Sequence, residues 1–121
     1  MAVRDRPTLN IPATGKCAWL MEVLGLDDAE MEAALDVDHS TLRRWLQDNQ
    51  DRLALRELRF DRLLELVRLA KGHIRAEKLA QWMRSPNSRL AGMTPAKILG
   101  DPRAIELVRQ ALHDDCQGNP L

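Results

Sequence analysis

Tyrosine is absent from this sequence, phenylalanine occurs once, and three tryptophans make up almost the whole aromatic inventory of 121 residues. Only two cysteines occur, Cys17 and Cys116, near opposite ends of the chain and in no motif spacing. That excludes a disulfide framework as the organising device and makes a reducing cytoplasm the expected setting. No apolar run approaches the roughly 20 residues needed to cross a bilayer, so no membrane role is expected. The opening Met1-Ala2-Val3-Arg4-Asp5-Arg6-Pro7 lacks the apolar core of a secretory signal. Net charge is absent too, with 18 basic and 18 acidic side chains. This argues against a polybasic coat protein, an acidic tail or strong non-specific nucleic-acid binding. The balance conceals a gradient. Residues 1–50 hold 5 basic and 9 acidic side chains, net −4, whereas residues 51–121 hold 13 and 9, net +4.

Strand signals are missing as well: nothing alternates with period two, and no Asn-Gly or Asp-Gly hairpin turn occurs. Helical periodicity runs through most of the chain, so an all-α fold is expected. Residues 1–15, with Pro7 and Pro12, read as a flexible arm. A first helix fits Lys16 to Leu24, stopped by Gly25. Asp27 or Asp28 caps a short helix to about Leu35, and Asp38 caps a third through about Gln47. A long helix from about Leu53 to Lys71 is apolar over a wide arc (Leu55, Leu58, Leu63, Leu66, Val67, Ala70), which suits the core or a dimer interface. Gly72 breaks it, and another helix follows from about Ile74 to Arg84. Thr94-Pro95 and Asp101-Pro102 each set a capping side chain before a first-turn proline. They start helices over Pro95–Leu99 and from Pro102 to about His113, with Ile105, Val108 and Leu112 inward. Asp115 to Leu121 read as a loose tail.

No catalytic constellation emerges. Thr14-Gly15-Lys16 lacks the first glycine and the preceding strand of a phosphate-binding loop. His113 and Cys116 are two potential ligands where a closed zinc site needs four. His39 and His73 have no Ser, Cys or carboxylate placed to suggest a triad. No metal and no cofactor are expected. Arg68, Lys71, Arg75 and Lys78 would form one positive stripe if the helix continued past Gly72, either a solvated face or a patch for phosphate or an acidic partner.

Residues Asp28 to Leu46 read as helix, short turn, helix. They resemble the helix-turn-helix of phage-repressor-like regulators, with Met31, Leu35, Val37, Leu42 and Trp45 at the positions that pack the two helices. Such a motif sends the start of its second helix into the major groove. Here that segment offers His39, Ser40, Thr41, Arg43 and Arg44, the arginines suited to guanine or phosphate and the hydroxyls to phosphate. Glu32 and Asp36 stand where the motif commonly has alanine and glycine. Six acids and no base (Asp27, Asp28, Glu30, Glu32, Asp36, Asp38) precede the reading helix. The competing reading is a helical hairpin that keeps the shape without tight DNA binding.

Further on, Trp82, Met83, Pro86, Asn87, Leu90, Gly92, Thr94, Pro95, Ile98 and Leu99 reproduce the spacing of another pattern. The segment resembles the toxin-binding domain of Xre/MbcA/ParS-like antitoxins, weakly continued through Val108 and Leu112 to Gly118. Ala91 stands where that pattern frequently has a second glycine, and Gly118-Asn119-Pro120-Leu121 lacks its aromatic or β-branched ending. From the residues alone, Pro86 and Asn87 end one helix, Gly92 permits a reversal and Thr94-Pro95 restarts the chain. Trp82 reads as core.

Beside the flexible arm read over 1–15, the resemblance implies an Xre-like helix-turn-helix with central helix over 16–72 and an antitoxin toxin-binding domain over 73–121. It implies a non-enzymatic cytoplasmic antitoxin that occludes a toxin encoded beside it, commonly a RES-domain enzyme that consumes NAD. Pro86, Asn87, Leu90, Gly92, Thr94, Pro95, Gly118, Asn119 and Leu121 are then the toxin-binding residues, and a homodimer repressing its own operator is the second role. The alternative is a stand-alone helix-turn-helix regulator whose C-terminal domain only dimerises.

Overall fold

The structure, a computed structural model, describes residues 8–48 and 50–118. It is all helical: α1 Lys16–Val23, α2 Asp28–Leu35, α3 His39–Gln47, α4 Leu58–Ala70, α5 Ala76–Met83, α6 Pro95–Ile98 and α7 Pro102–Gly118. Short 3-10 turns cover Ala54–Arg56 and Ser88–Leu90, and no strand occurs among the described residues.

Local chemistry sets most boundaries. The Asp27 carboxylate accepts from the Glu30 amide at 2.8 Å, and the Glu30 carboxylate accepts from the Asp27 amide at 3.0 Å. This reciprocal capping box fixes the start of α2. Asp38 caps α3 by accepting from the Thr41 amide at 2.8 Å. Between the two helices Asp36 turns left-handed, with φ 56°.

The start of α1 is capped from a distance. Gly15 precedes it without a side chain to offer, and the carboxylate of Asp51 takes that place, accepting from the Lys16 amide at 2.9 Å. Asp51 is fully buried and left-handed (φ 61°), and the Lys16 ammonium lies 3.7 Å from its second oxygen. An anion at a helix N-terminus meets both the orphan amides and the helix dipole. Burial and then the Asp51 charge push the neighbouring Cys17 thiol up to about 12.

Helix α4 is the spine. Phe60, Leu63, Leu64, Leu66, Val67 and Ala70 are buried, and α7, whose Val108 and Leu112 are also buried, packs against it. Helix α5 lies on α1, where Gly25 comes close to Ala80, and α6 lies on α2, where Gly100 meets Ala33. An added Cβ at Gly100 would stand 3.2 Å from the Ala33 Cβ and 3.3 Å from its carbonyl. Leu9 is buried in this core and the Thr8 carbonyl accepts from the Trp19 indole at 2.9 Å, so the described part of the expected arm is anchored.

Three expectations need correction. The helix expected over Leu53–Lys71 is broken at Glu57, which is extended (φ −97°, ψ 127°). At about 100° per residue an unbroken helix would point Ala54 opposite Leu63. Both are buried, so the chain must break, and Leu58 is left 64% exposed instead of facing the core. The expected break at Gly72 (φ 88°) is present and α5 starts at Ala76, so Arg68 and Arg75 do not share one helix. Arg68 pairs instead with Asp61 and Glu65. Thr94 makes no side-chain cap bond; Pro95 itself sets the first helical turn. Finally, Asp115 to Gly118 are not a loose tail but the last turn of α7, while Asn119 to Leu121 lie outside the described residues.

Candidate functional site

The loop between α5 and α6 is closed by its own backbone. The Asn87 amide donates to the Met93 carbonyl at 3.0 Å, and the Leu90 and Gly92 amides donate to the Asn87 carbonyl at 2.9 Å each. The Asn87 side chain accepts from the Arg89 amide at 2.9 Å, starting the 3-10 turn. Ala91 and Gly92 then run left-handed, with φ 56° and 81°.

One carboxylate ties this loop to α7. Asp115 accepts from the Trp82 indole at 2.8 Å, from the Arg89 guanidinium at 2.8 Å and from the Asn87 amide side chain at 3.3 Å. Partial burial raises its pKa, but those three donors and the Arg89 charge outweigh it and hold the carboxyl below its usual range. Trp82, Ser85, Pro86, Asn87, Ser88 and Asp115 line an open groove of about 250 Å³ beside the loop.

The expected loop residues divide by burial. Pro86 and Gly92 are exposed, and Asn87 and Thr94 are half-buried. Leu90 and Pro95 are buried and face the core. Gly118 ends α7, and Asn119 and Leu121 lie outside the described residues. Sequence reasoning missed Asp115 and Arg89, because the bonds that define them span 26 to 33 residues. The available signal was Trp82, whose indole donor needs an acceptor when drawn toward a core.

Residues 66–113 match the antitoxin Xre/MbcA/ParS C-terminal toxin-binding domain.

The match confirms the resemblance read from residues 82–99 and begins upstream of them, inside α4. No curated protein and no solved structure matches the chain. The matched segment is joined to the N-terminal helices by a polar clamp. Arg84 donates to the Gly25 carbonyl at 3.0 Å and to the Glu30 carboxylate at 2.6 Å, and the Lys97 ammonium lies 3.5 Å from Glu30. Burial raises the Glu30 pKa, but Arg84, the Asp27 amide and Lys97 bring it below its ordinary value.

Helix α3 presents its first turns to solvent: His39, Ser40, Arg43 and Arg44 are exposed and Thr41 half-buried. Beneath them Met31, Leu35, Leu42 and Trp45 are buried and Val37 half-buried, packing α2 on α3. Acids claim some of the surface groups. Arg43 pairs with Asp28 at 2.7 Å and His39 with Glu32 at 3.0 Å. Arg44 donates only to the Thr41 hydroxyl and has no acidic partner among the described residues. Among the described residues no cluster of three His, Cys, Asp or Glu could hold a metal, and no helix is long and apolar enough to cross a membrane.

Proposed function

We propose that this protein is the antitoxin of a type II toxin–antitoxin pair. Its toxin-binding domain docks on a cognate toxin of the RES-domain, NAD-consuming kind and obstructs the entrance to the toxin's active site. The observation that carries this reading is the domain match over 66–113, laid over a loop that is closed and pinned before any partner arrives. A preformed loop loses little conformational entropy on docking, which favours tight binding. Occlusion requires a surface rather than chemistry of its own, so the antitoxin is not an enzyme. It acts in the cytoplasm, where its target is made.

A second role, repression of its own operon as a homodimer, is supported by the exposed start of α3. His39, Ser40, Thr41, Arg43 and Arg44 would meet the major groove there. The Asp28 and Glu32 pairings make Arg44 the principal cation of that face. The rival, a stand-alone regulator with a merely dimerising C-terminal domain, predicts promoter binding without any toxin partner.

Co-expression with the RES-domain protein encoded beside it tests the reading. Growth and cellular NAD are restored by the wild-type chain if it is the antitoxin. NAD depletion that persists despite a folded, abundant chain would reject it.

A further inference from the structure

A charged side chain drawn out of water needs a counter-charge. Among the described residues four cations are half-buried: Lys16, Arg59, Arg62 and Arg109. Lys16 has Asp51 and Arg109 has Glu106. Arg59 and Arg62 have no carboxylate partner among the described residues. Arg59 reaches only the Gly100 carbonyl, at 3.4 Å, and the guanidinium donors of Arg62 meet no acceptor there. Three residues apart on α4, the two arginines are neighbours on one helix face.

Both line a single cavity of about 240 Å³. It lies where α2, α4, α7 and the end of α6 meet, and Ala34, Leu58, Leu99, Pro102 and Ile105 complete its wall. Ala34, Leu99 and Ile105 belong to the buried core, while Leu58 is 64% exposed. The two unpaired cations therefore stand at an apolar hole rather than over open polar surface.

We infer that this cavity is a binding site for a small carboxylate with an aliphatic body. The head accepts from both guanidiniums, whose planar donor forks match a carboxylate, and the body covers Leu58 and the apolar wall. Inorganic phosphate would satisfy the arginines but leave the wall wet. A neutral aliphatic molecule would cover the wall but leave the arginines without an anion. Pockets that join an apolar lining to a few convergent polar groups are where small ligands bind. At about 30 Å³ for each water-sized group, the space suits roughly eight non-hydrogen atoms, the size of hexanoate. The site stands independently of the toxin reading. Its ligand would nevertheless touch both parts of the chain, because Leu99, Pro102 and Ile105 lie in the matched segment and the other lining residues precede it.

The test is titration of the full chain with sodium hexanoate, followed by amide chemical shifts at constant pH and ionic strength. Saturable shifts are expected at Ala34, Arg59, Leu99 and Ile105, with a dissociation constant of roughly 1 mM for a ligand of this size. Arg59→Gln and Arg62→Gln each weaken binding by at least about tenfold while circular dichroism stays unchanged, since neither guanidinium holds a carboxylate of the fold. Hexan-1-ol and inorganic phosphate, each offering half of the ligand's chemistry, bind at least about tenfold more weakly than hexanoate. No saturable shift with hexanoate, or binding undiminished in both arginine variants, would overturn the site. Phosphate binding as tightly as hexanoate would reduce it to a patch for any anion, and hexan-1-ol binding as tightly would remove the arginines from it. Either result would overturn the carboxylate assignment.

Discussion

Among single residues, Asp115 does the most for the site, because three donors from the α5–α6 loop converge on one carboxylate of α7. Hydrogen bonds to a charged group are worth about 1.5–3 kcal/mol each when nothing replaces them, less where solvent reaches them. Asp115→Ala is therefore expected to lower stability by about 2 kcal/mol and to loosen the loop, measured by denaturant titration and by amide exchange over residues 86–93. The sign of the pH dependence follows from its depressed pKa. Its contribution is full above the unfolded carboxyl value of 3.8 and disappears as the pH falls through the lower folded value. The stability gap between the wild type and Asp115→Ala should therefore close under acid, and a gap unchanged from pH 7 down to pH 2 would contradict the assignment. Ala91 makes the opposite kind of prediction. Its left-handed backbone (φ 56°) is costly for any residue with a Cβ. Ala91→Gly should stabilise the protein by roughly 0.5–1 kcal/mol, the strain removed exceeding the entropy that glycine adds. A lower melting temperature would show that the loop does not hold that conformation.

Element boundaries were legible wherever a boundary has a local cause. Asp27, Asp38, Gly25, Pro95 and Pro102 act on the residues beside them, and the helices start or stop there. The break at Glu57 was not legible, because the apolar pattern of 53–71 fits one helix and the interruption serves burial of Ala54 and Leu63 on opposite faces. The last turn of α7 was invisible for a similar reason: Asp115 reads as a polar tail residue until Trp82, Asn87 and Arg89 are folded against it. The loop's punctuation by Pro86, Asn87, Gly92 and Pro95 was readable, while the left-handed Ala91, the missing Thr94 cap and the carboxylate that holds the loop were not. Helix α3 gives a prediction at this scale. Since Asp28 holds Arg43 and nothing acidic holds Arg44, Arg44→Ala should weaken operator binding and lower its salt slope by about 1, whereas Arg43→Ala should change both less. Asp28→Ala should strengthen binding by freeing Arg43. Gel shifts across a salt series decide the matter, and equal losses from the two arginines would remove the Asp28 pairing from the explanation.

For the whole molecule, the opposite charges of the two halves become meaningful once the fold is known. The net −4 of residues 1–50 and the net +4 of residues 51–121 meet in the clamp of Glu30 with Arg84 and Lys97, which ties the N-terminal helices to the matched C-terminal segment. Glu30 is 9% exposed. Glu30→Gln is thus expected to cost about 1–2 kcal/mol, with the loss shrinking as acid protonates the wild-type carboxyl, whose folded pKa lies below the ordinary 4.5. A neutral result at pH 7 would mean that packing of Gly25 on Ala80 and of Gly100 on Ala33 joins the two halves without the clamp. The neutral overall charge also fits the proposed protein partner.

The central claim is that the pinned loop of the toxin-binding domain silences a toxin. The most direct measurement is titration of the purified chain into the RES-domain toxin encoded beside it, following NAD consumption. The account predicts stoichiometric inhibition by the wild type, at least tenfold weaker inhibition by folded Asp115→Ala, and undiminished inhibition by Arg44→Ala. Full NAD consumption in the presence of excess folded wild type, or equal inhibition by all three chains, would contradict it.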